Sequence, residues 1–176
     1  CGVRNEDMTI VIANGTHDGD GPDILTELVS PSVMDRIEVV NHNCRSEDLV
    51  QIGTTARGTR VRVNPLVASR KVITLGACTH HVMAGFGGGR KSILPGVASA
   101  EAIRQNHAHA LDPQASRSNP LIGNAVLEGN PIHEDMCEGA AFLKHVFTIN
   151  LVMNTEMELA HILSGDLFES WEQACV

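Results

Sequence analysis

Short β-branched runs, each stopped by Gly or Asn and each separated from the next by helical or turn-rich sequence, constrain this chain more than any other feature. Residues 8–13 are apolar and end at Asn14-Gly15; residues 36–41 end at Asn41; residues 71–76 end at Gly76; residues 145–152 form a fourth run. Runs of this length and hydropathy suit strands buried in a sheet. Residues 58–64 alternate polar and apolar side chains, as a half-exposed or edge strand does. Between them lie helical patterns. Residues 23–29 follow Gly21-Pro22, residues 99–110 open on a potential Ser99 cap, and residues 131–144 place Ile132, Met136, Ala140 and Leu143 at helical spacing. Residues 156–174 carry a last helical pattern, interrupted near Gly165. Alternating strands and helices predict an α/β domain: a mainly parallel sheet flanked by helices, in a Rossmann-like three-layer arrangement. The 176 residues fit one such domain at about 150 residues per domain.

Composition adds bounds. With no Tyr, one Trp and four Phe, the core must be aliphatic. A net charge of −8 argues against a nucleic-acid binder, which carries a basic face. No apolar run is long enough to span a membrane, and no secretory leader opens the chain. Five scattered cysteines, with no C-x-x-C pair, suit reduced thiols in a cytoplasm better than a disulfide framework or zinc ribbon. The chain opens on Cys1 rather than Met, which reads as a piece of a longer protein.

In open α/β sheets, ligands bind at the carboxyl ends of strands. Three strand exits are polar: residues 14–17, residues 41–43 and residues 76–91. The third is the densest. Gly85, Gly87, Gly88 and Gly89 expose backbone N–H groups that can approach an anion, and Arg90, Lys91 and Ser92 add charge and a hydroxyl. The order resembles a Walker A loop, but Arg90 stands where its last Gly belongs. A nucleotide- or phosphate-binding domain using this loop is the alternative reading, and a non-catalytic homologue is another. His80 and His81 precede the loop; neighbours on a strand face opposite ways, so at most one of them enters the site. His17 lies on a strand-exit turn, and His107 lies in the helix after the loop, with His109 facing elsewhere. His42, His133, His145 and His161 read as surface or packing residues. Asp18, Asp20 and Asp23 lack calcium-loop spacing and read as a solvated loop.

Taken together, these residues resemble the nickel-dependent lactate racemase family. The resemblance is carried by Ala-Asn-Gly-Thr-His17, by Asn-His42, and by a Gly-Thr-x-Val strand reaching Asn64. It continues with His81-x-x-Ala-Gly-Phe-x-Gly-Gly-Arg-Lys91-Ser-Ile-Leu-Pro-Gly96, Asn106-His107, Asn119-Pro120 and Asn150. It runs in order over nearly the whole chain. It implies an isomerase that inverts a small 2-hydroxy acid such as lactate by proton-coupled hydride transfer. The implied cofactor is a nickel-pincer pyridinium-dithio mononucleotide attached covalently to a lysine, here Lys91, with His107 as the protein ligand to nickel. His17 and His81 correspond to the acid and base on opposite faces of the substrate carbon. Two imidazoles near neutral pH can each serve as acid or base, one for each enantiomer. From chemistry, Gly87, Gly88, Gly89 and Arg90 are expected to take the cofactor phosphate. The partners implied are the 2-hydroxy acid, the dedicated cofactor maturation enzymes and a second α/β domain of the same protein. Family members also carry an acidic, arginine-bearing segment before the first strand seen here. The chain is therefore expected to be part of the N-terminal domain of a two-domain racemase, and inactive by itself.

Overall fold

The computed structural model describes residues 2–175. After a short 3-10 turn, β1 (Thr9–Ile12) runs parallel to β2 (Glu38–Asn41), with Thr9 opposite Glu38 and Ile12 opposite Asn41. A parallel pair needs a crossover, here supplied by α1 (Pro22–Val29) and α2 (Pro31–Met34), both opened by proline. β3 (Val50–Thr54) and β4 (Arg60–Val63) form an antiparallel hairpin with an irregularity between Gln51 and Gly53. The alternation expected of β4 is realised: Val61 and Val63 are fully buried, while Arg60 faces out.

α3 (Pro65–Ser69) is capped by Asn64, whose side chain accepts from the Leu66 N–H. It leads to β5 (Val72–Ala77), the first strand of a three-stranded sheet. β8 (Val146–Met153) lies in its centre, parallel to β5 and antiparallel to β9 (Leu159–Asp166). Between β5 and β8 come the two-residue strands β6 (His80–His81) and β7 (Gly85–Phe86), a 3-10 helix (Gly89–Ser92), α4 (Ala100–Ala108) and α5 (Pro131–Ala141). α6 (Glu169–Ala174) closes the described chain.

The α/β class holds, with parallel pairing at β1–β2 and β5–β8. Among the described residues, strands are distributed over four small sheets, and the other strand pairings are antiparallel. The helix expected over residues 156–174 is corrected. Its first half is the edge strand β9, joined to β8 by a turn in which Asn154 Oδ1 accepts from the Glu156 and Glu158 N–H groups. Only the second half is helical. Hydrogen bonding to β8 overrides a local pattern that was itself ambiguous.

The main core is aliphatic, as the lack of aromatics requires. Val61, Val63, Ile93, Leu94, Ala98, Ala102, Ile132, Met136 and Ala140 pack α4 and α5 onto the β3–β4 hairpin and the 3-10 segment. A smaller cluster joins Trp171 and Ala174 of α6 to Cys78, just past β5. Inside the main core, Asp135 of α5 accepts from Thr55, from Thr59 Oγ1 at 2.8 Å and from Asn106 Nδ2 at 2.8 Å. The carboxylate thereby ties α4 and the hairpin to α5. Among the described residues, no helix is long and apolar enough to cross a membrane.

Candidate active site

The chain leaves β5 at Ala77, turns back through β6 and β7, and enters the 3-10 helix that carries Lys91. The glycines make this reversal possible. Gly88 and Gly89 have φ of +69° and +49°, and a Cβ on Gly88 would stand 3.2 Å from both the Ala77 carbonyl and Asn150 Oδ1. A Cβ on Gly89 would strike the Trp171 ring at 2.7 Å. The run thus lies flat against the sheet end and α6, and the Gly87 N–H donates to the Thr79 carbonyl.

Gly87, Gly88 and Gly89 are packed against the chain's own atoms. Arg90 has no exposed surface: its guanidinium donates to the carbonyls of Ala84 at 2.7 Å and Phe86 at 2.9 Å and lies over the Trp171 ring at 3.8 Å. Its contribution is to staple the loop from beneath, with the Trp171 indole N–H donating to the Gly87 carbonyl at 2.7 Å.

Lys91 and the three histidines are disposed differently. Lys91 is half-buried, and burial together with the Arg90 charge brings its ammonium down to about 8. His81 is also half-buried, and its imidazole titrates below the ordinary histidine value. Desolvation is the main cause, followed by the positive charges of Lys91, Arg90 and His107. The four groups therefore share one electrostatic neighbourhood. His81 Nδ1 accepts from the N–H groups of Met83 and Ala84, both at 3.1 Å. The neutral ring accordingly carries its hydrogen on Nε2. His107, in the last turn of α4, sits 2.7 Å from the Ile103 carbonyl through Nδ1. A carbonyl only accepts, so Nδ1 holds the proton and Nε2 keeps its lone pair.

His17 is exposed on the turn after β1. That turn is pinned to the Lys91 segment: the Gly15 N–H donates to Gly96 at 2.9 Å, and the Gly96 N–H donates to Lys91 at 2.9 Å. On the same turn, Asn14 Oδ1 is buried without a hydrogen-bond partner among the described residues. His80 turns outward and packs against the Phe86 ring. The remaining histidines are packing or surface residues. His42 is buried and donates through Nε2 to the Ala98 carbonyl, His133 packs against Trp171, and His145 and His161 are exposed. His109 Nε2 lies 4.0 Å from the buried Asp135 carboxylate. Sequence reasoning missed Trp171 and Asp135. The single Trp of an aromatic-poor chain was the one signal for the former; the latter carried none.

An α/β domain that holds a half-buried lysine beside two oriented histidines, with a third on a turn bonded to the lysine segment, has the parts of a cofactor-dependent proton-transfer site. Comparison with known proteins gives the family. Residues 1–119 match the lactate racemase N-terminal domain. The chain is 31% identical over 174 residues to a lactate racemase from Thermoanaerobacterium thermosaccharolyticum, covering 98% of this chain and 40% of that protein. It is 30% identical over 172 residues to the lactate racemase of Lactiplantibacillus plantarum, covering 96% and 39%. Among solved structures, it resembles the lactate racemase apoprotein from T. thermosaccharolyticum with a TM-score of 0.87 at 30% identity, over 95% of this chain and 39% of that one. A Thermotoga maritima protein shares the fold with a TM-score of 0.73 at 22% identity, over 94% and 44%. The chain belongs to the lactate racemase family, and it spans about 40% of the length of the curated relatives it matches.

Proposed function

We propose that this chain is the cofactor-holding part of a racemase acting on a small 2-hydroxy acid, with lactate, the substrate named for its relatives, as the first candidate. In this reading Lys91 carries the nickel-pincer pyridinium mononucleotide, His107 ligates the nickel, and His17 and His81 handle protons on opposite faces of the substrate carbon. The observation that carries it is the tautomer of His107. Its Nδ1–H is spent on the Ile103 carbonyl, so Nε2 offers a fixed lone pair of the kind a first-row metal takes. Lys91 adds support, since an amine brought down to about 8 is a nucleophile at near-neutral pH. When bound, the group supplies the electron sink for the hydrogen on the substrate carbon.

The chain's own residues divide the remaining work. Inverting the carbon requires the hydroxyl proton to leave and return. His17, exposed and on a turn, is the group free to take a proton at either ring nitrogen. His81 starts with its hydrogen on Nε2 and its Nδ1 lone pair facing two backbone amides, so it enters as a hydrogen-bond donor to the substrate. Exchange of these roles, needed for the opposite enantiomer, requires the His81 ring to leave those amides. The rest of the protein covers the site and selects the substrate, and the 176-residue chain is inactive by itself.

The test uses the full-length protein co-expressed with its host's maturation enzymes. An adduct of cofactor mass on the Lys91 peptide, one nickel per chain and racemisation of lactate are expected together. All three disappear in Lys91→Ala. Undiminished turnover by that variant overturns the reading.

A further inference from the structure

We propose that Cys78 and Cys175 form a dithiol site that hydrogen peroxide closes to a disulfide, tying the last helix to the strand end that bears the histidine–lysine group. The inference stands independently of the racemase reading. The two residues lie far apart in sequence, yet their sulfurs are 3.5 Å apart with nothing between them. Cys78 follows β5 directly, and its N–H donates to the Leu151 carbonyl at 2.8 Å. Cys175 ends α6, and its N–H donates to the Glu172 carbonyl at 3.1 Å. Each sulfur is thus mounted on hydrogen-bonded backbone, and both pack in the Trp171 cluster.

The surroundings distinguish the two thiols. The two sulfurs share a hydrogen bond, and the buried Arg90 guanidinium lies close by. Both hold the Cys78 thiol below its ordinary value, while Cys175 is held above it. Cys78 is therefore the nucleophile and Cys175 the resolving thiol. Cys137 lies in the same neighbourhood beside His133, but burial pushes it up to about 11, so it stays protonated and unreactive.

The chemistry balances with peroxide as the oxidant. The Cys78 thiolate attacks one peroxide oxygen; the O–O bond breaks, a sulfenic acid forms, and the departing hydroxide takes up a proton as water. The Cys175 sulfur then attacks the Cys78 sulfur. The S–O bond breaks, and the second hydroxide leaves with the Cys175 proton as another water. Two thiols and one peroxide become one disulfide and two waters. Because α6 carries the Trp171 that bonds Gly87 and covers Arg90, the bond holds the floor of the Lys91 loop in place.

The test treats the folded full-length protein with stoichiometric hydrogen peroxide, alkylates remaining thiols under denaturing conditions and maps peptides without reduction. One cross-linked pair, Cys78 with Cys175, is expected, with Cys44 and Cys137 recovered alkylated. The thermal midpoint should rise on oxidation and fall back with dithiothreitol. Cys175→Ser, verified as folded by circular dichroism, should lose the cross-link and accumulate a dimedone-reactive sulfenic acid on Cys78. Cys137→Ser should leave the cross-link intact. Linkage of Cys78 to any other cysteine, unpaired over-oxidation of Cys78 in the unsubstituted protein, or a cross-link that needs Cys137 each overturns the proposal.

Discussion

Burial and the Arg90 charge act on Lys91 in the same direction, and both disfavour its ammonium form. The consequence is measurable. In the unmodified protein, competitive labelling of Lys91 with an amine reagent should titrate with a midpoint of about 8, whereas an ordinary lysine titrates near 10.5. The sign of the stability linkage follows. Between those two values the unfolded chain holds the proton and the folded chain does not, so Lys91 makes the fold more stable as pH rises across that window and less stable as it falls. A labelling midpoint in the ordinary lysine range would show that the site is wetter than described. At this scale the sequence motif singled out Lys91, His81, His17 and His107 as candidates, because residue type and spacing are local information. What surrounds Arg90 was not legible: three carbonyls and an indole ring enclose its guanidinium.

The element that positions His107 is α4, and two features hold it. Ser99 caps its start by accepting from the Ala102 N–H at 3.1 Å, and Asn106 anchors its far end to Asp135 and to the Ile132 carbonyl. Asp135→Ala would leave the Thr55 and Thr59 hydroxyls and one Asn106 donor without their buried acceptor. A loss of about 3 kcal/mol is expected in urea denaturation, since each stranded buried polar group costs roughly 1–3 kcal/mol. A change below about 0.5 kcal/mol would mean that the network is solvated or rearranges freely. The cap of α4 was legible from Ser99, because capping is a property of neighbouring residues. The carboxylate network was not, because Thr55, Thr59, Asn106 and Asp135 meet only across three elements. β9 was misread for a related reason. Its side chains are mostly exposed, so burial left no period in the sequence, and its conformation is decided by β8.

The three-stranded sheet divides the molecule into two unlike sides. Thr74, Thr148 and Asn150 face the glycine loop and α6, and Asn150 Nδ2 donates to Ser170. The opposite side carries Ile73, Leu75, Phe147 and Ile162, with Ile73 68% and Leu75 65% exposed. A contiguous apolar face of this kind marks a surface that something covers. The chain produced alone should self-associate through it. Leu75→Glu combined with Phe147→Glu should shift sedimentation toward the monomer with an unchanged far-ultraviolet spectrum. Association that survives both substitutions would place the contact elsewhere.

From sequence alone came the α/β class, the aliphatic core, and the strand exits near which the candidate lysine and histidines lie. Each of these depends on short-range pattern: apolar period, turn residues, and motif spacing. Tertiary structure alone decided that the glycines serve close packing, that Arg90 is a buried staple under Trp171, that His107 keeps its Nε2 lone pair, and that Cys78 meets Cys175. These are contacts between segments distant in the chain, and no local pattern encodes which distant segment will arrive.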